Sequence, residues 1–305
     1  MKFGKLEDIS DVDFSLPCDM PGTREALGKM ERPSDQVNFY LGGTGWTMKE
    51  WVGTVYPADA KSKDYLKHYS RQFNTIEMNT THYRIPTEAM VEKWKNESAA
   101  DFKFCPKIPQ TISHSADLGL NTGLIELFAE AIAGLGEKMG CCFMQLPPYF
   151  DASRLPLLEK FVKQFPSNIP LAVEVRHESW FDNVKNAVQF FDILEKYNIS
   201  TVITDVAGRR DALHMRLTTN TAMIRFVGNG LHPTDYTRLN DWMWRMDNWY
   251  GQGLQQVYFF LHQAEELHVP EVADYLLKIL KPFPRYNIRG PKPLNETVGQ
   301  QIQLF

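Results

Sequence analysis

Three carboxylates and three cations stand near the downstream ends of short apolar runs: Glu77, Glu174 and Asp205 with Lys107, Arg176 and Arg225. Two neighbouring carboxylates divide into acid and base when burial raises one pKa while a nearby cation holds the other ionised. Glu77 and Glu174 are the candidate pair for that chemistry, and Asp205 is a further candidate catalytic carboxylate. Lys107 suits anion binding or, if desolvated, a Schiff base. Arg176 and Arg225 carry the planar fork that captures phosphate or carboxylate bidentately. The competing reading is a structural plug of ion pairs, since buried charges must be paired. Six charges on one rim exceed what packing needs, because apolar residues would fill the space at lower desolvation cost.

The elements that position these residues come in eight units. Candidate strands run over residues 38–44, 75–79, 102–107, 141–146, 171–176, 200–205, 222–227 and 256–261, each short, apolar and rich in β-branched or aromatic side chains. Helix signals lie between them, at residues 61–73, 87–95 with a Thr87 cap, 123–139, 154–165, 183–197 and 269–280. The rhythm predicts one (β/α)8 barrel, a TIM barrel, over residues 37–281. An irregular extension precedes it (residues 1–36) and an extended tail rich in Pro and Gly follows (residues 282–305). A doubly wound sheet is the alternative, but Gly42-Gly43-Thr44-Gly45-Trp46 has the glycines of a dinucleotide turn without their spacing.

Strand residues alternate between the two faces. Ile76 and Met78 suit the helix layer, which turns Glu77 and Asn79 inward; Leu171, Val173 and Val175 do the same for Glu174 and Arg176. The same parity places Lys107, Gln145, Asp205 and Arg225 inside, at the barrel end where active sites gather. Trp46, Tyr83, Trp180, Phe181 and Tyr236 fall in post-strand loops, where rings stack on a sugar or base or pack as an apolar lid. Trp242, Trp244 and Trp249 belong to a helix and its packing. A divalent metal is a live alternative, with carboxylates near His114 or His177, although no H-x-x-x-H spacing exists. His177 shares the parity of Val173 and Val175 and reads as structural.

Composition sets outer limits. The 305 residues are 43% hydrophobic and 23% charged, and no apolar stretch approaches the ~18 residues of a membrane span. The start lacks the pattern of a secretory signal, so the expected compartment is the cytoplasm. The four cysteines have no C-x-x-C spacing and read as reduced core thiols, with Cys141 and Cys142 on opposite faces. A net charge of −4 argues against sequence-independent coating of nucleic acid, while a local basic pocket stays open to an anionic ligand or a nucleotide.

At these motifs the chain resembles the DUF72 family of YecE-like TIM-barrel proteins. The matching pieces are Gly43 to Trp46; Glu77, Asn79, Tyr83 and Arg84; Phe102 to Pro109 with Ser113 and His114; Gln145 to Pro148; and Glu174 to Phe181. Their order and spacing span residues 38 to about 265. The resemblance implies the barrel and supplies no reaction. Parity, loop placement and these motifs together give the candidate substrate-binding set Trp46, Asn79, Tyr83, Arg84, His114, Gln145, Arg176, Trp180, Arg225 and Tyr236. Two departures stand out. Glu178 replaces a proline, and Leu261-His262-Gln263 replaces an Asn-Asn pair, which withdraws the ligand contact expected from the eighth strand.

The last five residues, Gln301-Ile302-Gln303-Leu304-Phe305, resemble the peptide by which bacterial DNA polymerases and repair proteins dock on the sliding clamp. Gln301 would enter a polar pocket, and Leu304 and Phe305 an apolar one; packing back on the barrel is the alternative. The sequence thus points to an enzyme of hydrolase, lyase or isomerase type, doing acid/base or metal-assisted chemistry on a phosphorylated, sugar-like or nucleic-acid substrate. The clamp-like tail connects that reading to DNA repair. Against it stand a non-catalytic binding barrel and a clamp-recruited adaptor.

Overall fold

The structure, a computed structural model, describes residues 4–29 and 35–292. Eight parallel strands form the barrel: β1 (Val37–Gly42), β2 (Thr75–Met78), β3 (Lys103–Pro106), β4 (Cys142–Gln145), β5 (Leu171–Glu174), β6 (Ser200–Asp205), β7 (Thr221–Val227) and β8 (Gln256–His262). A continuous ladder runs β4-β5-β6-β7-β8-β1, and β2 pairs with β3. Sparser bonds join the two pieces. Between β1 and β2, Glu77 N–H donates to Gly43 O at 3.0 Å, while the Asn74 amide accepts from Leu41 N (2.7 Å) and donates to Phe39 O (2.8 Å). Between β3 and β4, Gly140 N reaches Phe104 O (2.7 Å) and Ile108 N reaches Phe143 O (2.9 Å).

Gly42 permits the first of these junctions. A Cβ there would stand 2.1 Å from the Thr75 carbonyl oxygen, so β2 can approach only a glycine. Gly42→Ala is expected to destabilise the fold by roughly 1–3 kcal/mol, as overpacking does. Urea unfolding measures it, and an unchanged midpoint would refute the close approach.

Side chains of alternate parity build two cores. Inside the barrel lie Cys105, Cys141, Phe143, Ala172, Val202, Met223, Tyr258 and Phe260, with Tyr40 stacked on Tyr258 at 4.8 Å between centroids. Between strands and helices lies the larger layer, to which Ile76, Met78, Val173, Phe226 and Trp242 belong. Cys141 and Cys142 take opposite faces as expected, both buried and reduced, and burial pushes the Cys105 thiol up to about 12. Cys18 departs from expectation: it is exposed.

The helices fall where the periodicity puts them, with sharper ends. Thr87 caps the helix Glu88–Glu97 by accepting from Met90 N, and the helix Val269–Leu280 matches its expected span. The stretch 123–139 breaks into Leu124–Ala133 and a single turn at Gly136–Lys138. Trp242 and Trp249 are buried on the helix Pro233–Gln252, whereas Trp244 is exposed and leans edge-on against Phe283. No helix among the described residues is long and apolar enough to cross a membrane.

The described parts of the N-terminal extension and of the tail make specific contacts with the barrel. In the N-terminal extension Thr23–Gly28 is helical, and described residues between Gly4 and Asp19 bond to the barrel. Gly208 N donates to Gly4 O (2.8 Å), Arg210 donates to the carbonyls of Asp13, Phe14 and Ser15, and Trp249 Nε1 donates to Asp19 at 3.0 Å. In the tail, β9 (Tyr286–Ile288) pairs in parallel with the start of β1, and Arg289 bonds Asp101 and the carbonyls of Ser70 and Phe73. The clamp-like residues Gln301, Leu304 and Phe305 lie outside the described residues.

Candidate functional site

Strand register decides which charged residues meet. Gln145 pairs with Glu174 and Thr204 with Arg225, and laterally paired residues in a parallel sheet share a face. Above the inner core they form one polar floor. Arg225 is its centre, donating from Nε and Nη2 to Glu77 Oε2 (2.9 Å) and Oε1 (3.0 Å), and from Nη1 to Glu174 Oε2 (2.9 Å). Arg176 Nε bonds Glu174 Oε1 at 2.7 Å, and Gln145 Nε2 bonds Glu174 Oε2 at 2.8 Å. Asn79 donates to Glu77 Oε1 (3.0 Å), and His262 Nε2 lies 2.9 Å from Glu77 Oε2.

This wiring overturns the carboxylate acid/base pair. Burial pushes both carboxyls up, but their partners outweigh it: Arg176 and Arg225 hold Glu174 at about 2, and the Arg225 guanidinium with the hydrogen bond from His262 holds Glu77 well below the usual range. Neither is a proton donor near neutrality. Arg225 is likewise spent on the carboxylates, fully buried, and Arg176 is buried against Glu174; neither lines the cavity described below, contrary to their expected capture of ligand. A cation between Glu77 and Glu174 would have to displace the Arg225 guanidinium, so the carboxylates do not fit a divalent metal. Among the described residues no group of three or more His, Cys, Asp or Glu could hold one.

Glu174 also links the floor to acid stability. Its folded pKa lies below the unfolded value, so its contribution is present above the ordinary 4.5 and is lost as pH falls towards about 2. A loss of about 3 kcal/mol from this residue is expected over that window. Urea titrations at stepped pH measure it: Glu174→Gln should flatten the acid slope, and an unaltered slope would count against the pairing.

Asp205 is a second correction. It pairs in register with Phe226, not with Arg225, and so faces the helix layer. There it accepts from Trp242 Nε1 at 2.8 Å, pairs with Arg210 and lies 3.2 Å from Arg238 Nη1, a structural anchor rather than a catalytic group. The inward residue is Thr204, whose buried Oγ1 has no hydrogen-bond partner among the described residues.

Over the floor opens a cavity of about 780 Å³, within the range of small-molecule sites. Lys107 and Gln145 reach it from below, Asn79, His82 and Tyr83 from the turn after β2, Asn229 and His232 from the loop after β7, and His262, Gln263 and Glu266 from β8 and its loop. Residues 4–7 and Ile9 of the N-terminal extension complete the wall. Lys107 Nζ donates to Gln145 Oε1 (2.9 Å) and has no carboxylate within ion-pair distance among the described residues. Burial pushes its ammonium down to about 8; Arg225 and Arg176 add to the shift, and Glu77 and Glu174 oppose it only in part. His82 is held neutral, pushed to about 4 by burial although its Nδ1 bonds Ile108 O at 3.0 Å.

Of the expected ligand contacts, Asn79, Tyr83, Lys107 and Gln145 line this cavity. Trp180 does not: its ring is buried beside Phe150, and its Nε1 donates to Phe150 O at 2.8 Å. Trp46 packs edge-on to Trp94, and Tyr236 packs on Tyr275 while bonding Glu271. Arg84 and His114 are exposed and outside the lining, although the His114 ring lies 5.3 Å from that of His82.

The eighth strand and its loop still present side chains to the cavity, through His262 and Gln263. Tyr258 and Phe260 face inward, so the same parity carried one residue further turns His262 inward as well. Gln263 packs against Gly228, where a Cβ would meet its Nε2 at 2.1 Å; its Oε1 accepts from Gly230 N, and its buried Nε2 has no partner among the described residues. Thr44 bonds Glu266 across the rim.

A family model described as "Protein of unknown function DUF72" matches residues 40–294. The chain belongs to the DUF72 family. UPF0759 protein YecE of Escherichia coli K12 is 29% identical over 285 residues, covering 87% of this chain and 99% of YecE. UPF0759 protein YunF of Bacillus subtilis 168 is 29% identical over 154 residues, covering 47% of this chain and 52% of YunF. Among solved structures, a DUF72 family protein (EF0366) from Enterococcus faecalis V583 superposes with a TM-score of 0.65 at 20% identity, covering 81% of this chain and 99% of that one. At that identity the likeness shows the shared DUF72 fold alone.

Proposed function

We propose that this DUF72 barrel is an enzyme that moves protons on a small polar substrate, with His262 as the acid/base group and Lys107 as the cation that receives developing negative charge. The observation that carries this reading is the Glu77–His262 contact at the cavity wall. Because Glu77 stays ionised, it accepts from His262 Nε2, which fixes the imidazole tautomer and leaves Nδ1 as the basic nitrogen. Carboxylate-oriented imidazoles are the commonest acid/base groups. Lys107, a buried ammonium without a carboxylate partner among the described residues, supplies charge stabilisation to a group bound in the cavity.

The cavity volume and its amide, hydroxyl and imidazole lining suit a hydroxylated carbonyl compound or sugar phosphate. The test reads proton exchange, whatever the product. A panel of such compounds is incubated with the protein in deuterium oxide, and deuterium wash-in at carbon is followed by NMR. Exchange above the protein-free rate supports the enzyme. Ligand-induced thermal stabilisation without exchange would favour a non-catalytic binding barrel instead.

Lys107 gives the reading a pH signature. The ammonium is present below about 8 and is lost above it, so affinity for an anionic ligand should fall as pH rises through that value. Calorimetric titration with inorganic phosphate from about pH 6 to about pH 10 measures this. A curve no steeper than that of Lys107→Met would remove Lys107 from ligand binding.

A further inference from the structure

The geometry points to Lys107 as a covalent nucleophile that forms an imine with a small hydroxylated aldehyde or ketone in the rim cavity. This deepens the proton-transfer reading, with the protonated imine nitrogen taking the place of the Lys107 ammonium as the cation, and rests on it for the location of the substrate.

Four observations converge. Lys107 is 5% exposed, and what is exposed opens into the cavity. The hydrogen bond from its Nζ goes to an amide oxygen, while the carboxylates that would otherwise hold it as an ion pair are saturated by Arg225, Arg176, Asn79, Gln145 and His262. A lysine that is desolvated beside other cations is the arrangement that frees an amine for carbonyl attack. The low folded value of its ammonium agrees with that geometry. Finally, the cavity wall carries the polar side chains of Asn79, Gln145, His262 and Gln263, which suit the several oxygens of a hydroxylated carbonyl compound.

The step balances without an outside oxidant or reductant. The neutral Nζ attacks the carbonyl carbon, forming a C–N bond, and the carbonyl oxygen takes a proton to give the carbinolamine. The nitrogen then loses its proton, the hydroxyl leaves as water, and C=N remains. Amine plus carbonyl gives imine plus water, and His262 is the cavity group placed to carry the proton from nitrogen to the departing oxygen.

The experiment is reductive trapping. The full chain is incubated with glycolaldehyde or dihydroxyacetone and sodium cyanoborohydride, which delivers hydride to C=N and fixes the adduct, and labelled peptides are mapped by mass spectrometry. Labelling of Lys107 is expected to saturate with probe and to exceed that of the exposed Lys61 and Lys63 at least tenfold. Lys107→Arg keeps the charge and should abolish the adduct. Should that variant not fold, the comparison with Lys61 and Lys63 in the unaltered chain decides. Labelling of Lys107 no faster than at those surface lysines overturns the imine. If it fails while deuterium wash-in persists, proton transfer stands and covalent catalysis falls; if both fail, the cavity is not the site of this chemistry.

Discussion

Arg225→Met is expected to destabilise the protein by about 3–5 kcal/mol, the range for stripping one member from a buried ion network. The reason lies in what is left behind. Glu77 and Glu174 are both sealed from solvent, and Arg225 supplies contacts to each. Methionine fills similar volume but donates nothing, so two carboxylates are stranded in low dielectric and must take up protons or water. The control is the triple variant Arg225→Met, Glu77→Gln, Glu174→Gln, in which no charge is stranded at the centre. It should recover a large part of the loss in urea unfolding. Equal destabilisation of the single and triple variants would show that packing, not charge, sets the cost.

His262→Asn should lower the deuterium wash-in rate by about 10²–10⁴-fold, the usual contribution of a positioned acid/base group, while leaving ligand-induced thermal stabilisation within about 1 kcal/mol of its original value. Asparagine can still donate to Glu77, so the floor keeps a hydrogen bond where the imidazole stood. Glu77→Gln should act in the same direction through His262, because a neutral amide no longer favours the Nε2–H tautomer. Since Glu77 also anchors Arg225, the two variants separate by stability: His262→Asn is expected to unfold near the original midpoint, Glu77→Gln well below it. Full activity in His262→Asn would end the dyad assignment.

The barrel was legible because its signal is repeated: apolar strands and amphipathic helices recur along the chain, and each constrains the next. Within the site, parity located Glu77, Lys107, Gln145, Glu174 and Arg225 wherever a run of apolar neighbours fixed the phase. It failed at Asp205 because β6 is buried on both faces and its hydroxyl residues fit either one. It stopped one residue short at β8, where an imidazole after Leu261 does not look like strand. The roles were harder still. Whether a carboxylate is an acid or a locked anchor depends on how many donors reach it, and these come from three other strands, the end of β5 and the turn after β2. The wall built by residues 4–7 and Ile9 left no local trace, since ordering a polar segment requires the surface it lies on.

The ladder consists of two plates, with Glu77 and Lys107 carried by or just beyond the β2–β3 plate and Gln145, Glu174, Arg225 and His262 carried by the other. Every bond from Glu77 to Arg225 or His262, and that from Lys107 to Gln145, therefore passes from one plate to the other. The charged floor is a rivet: it fastens the barrel where backbone pairing is sparse, and the spacing of the acid/base dyad is the spacing of that joint.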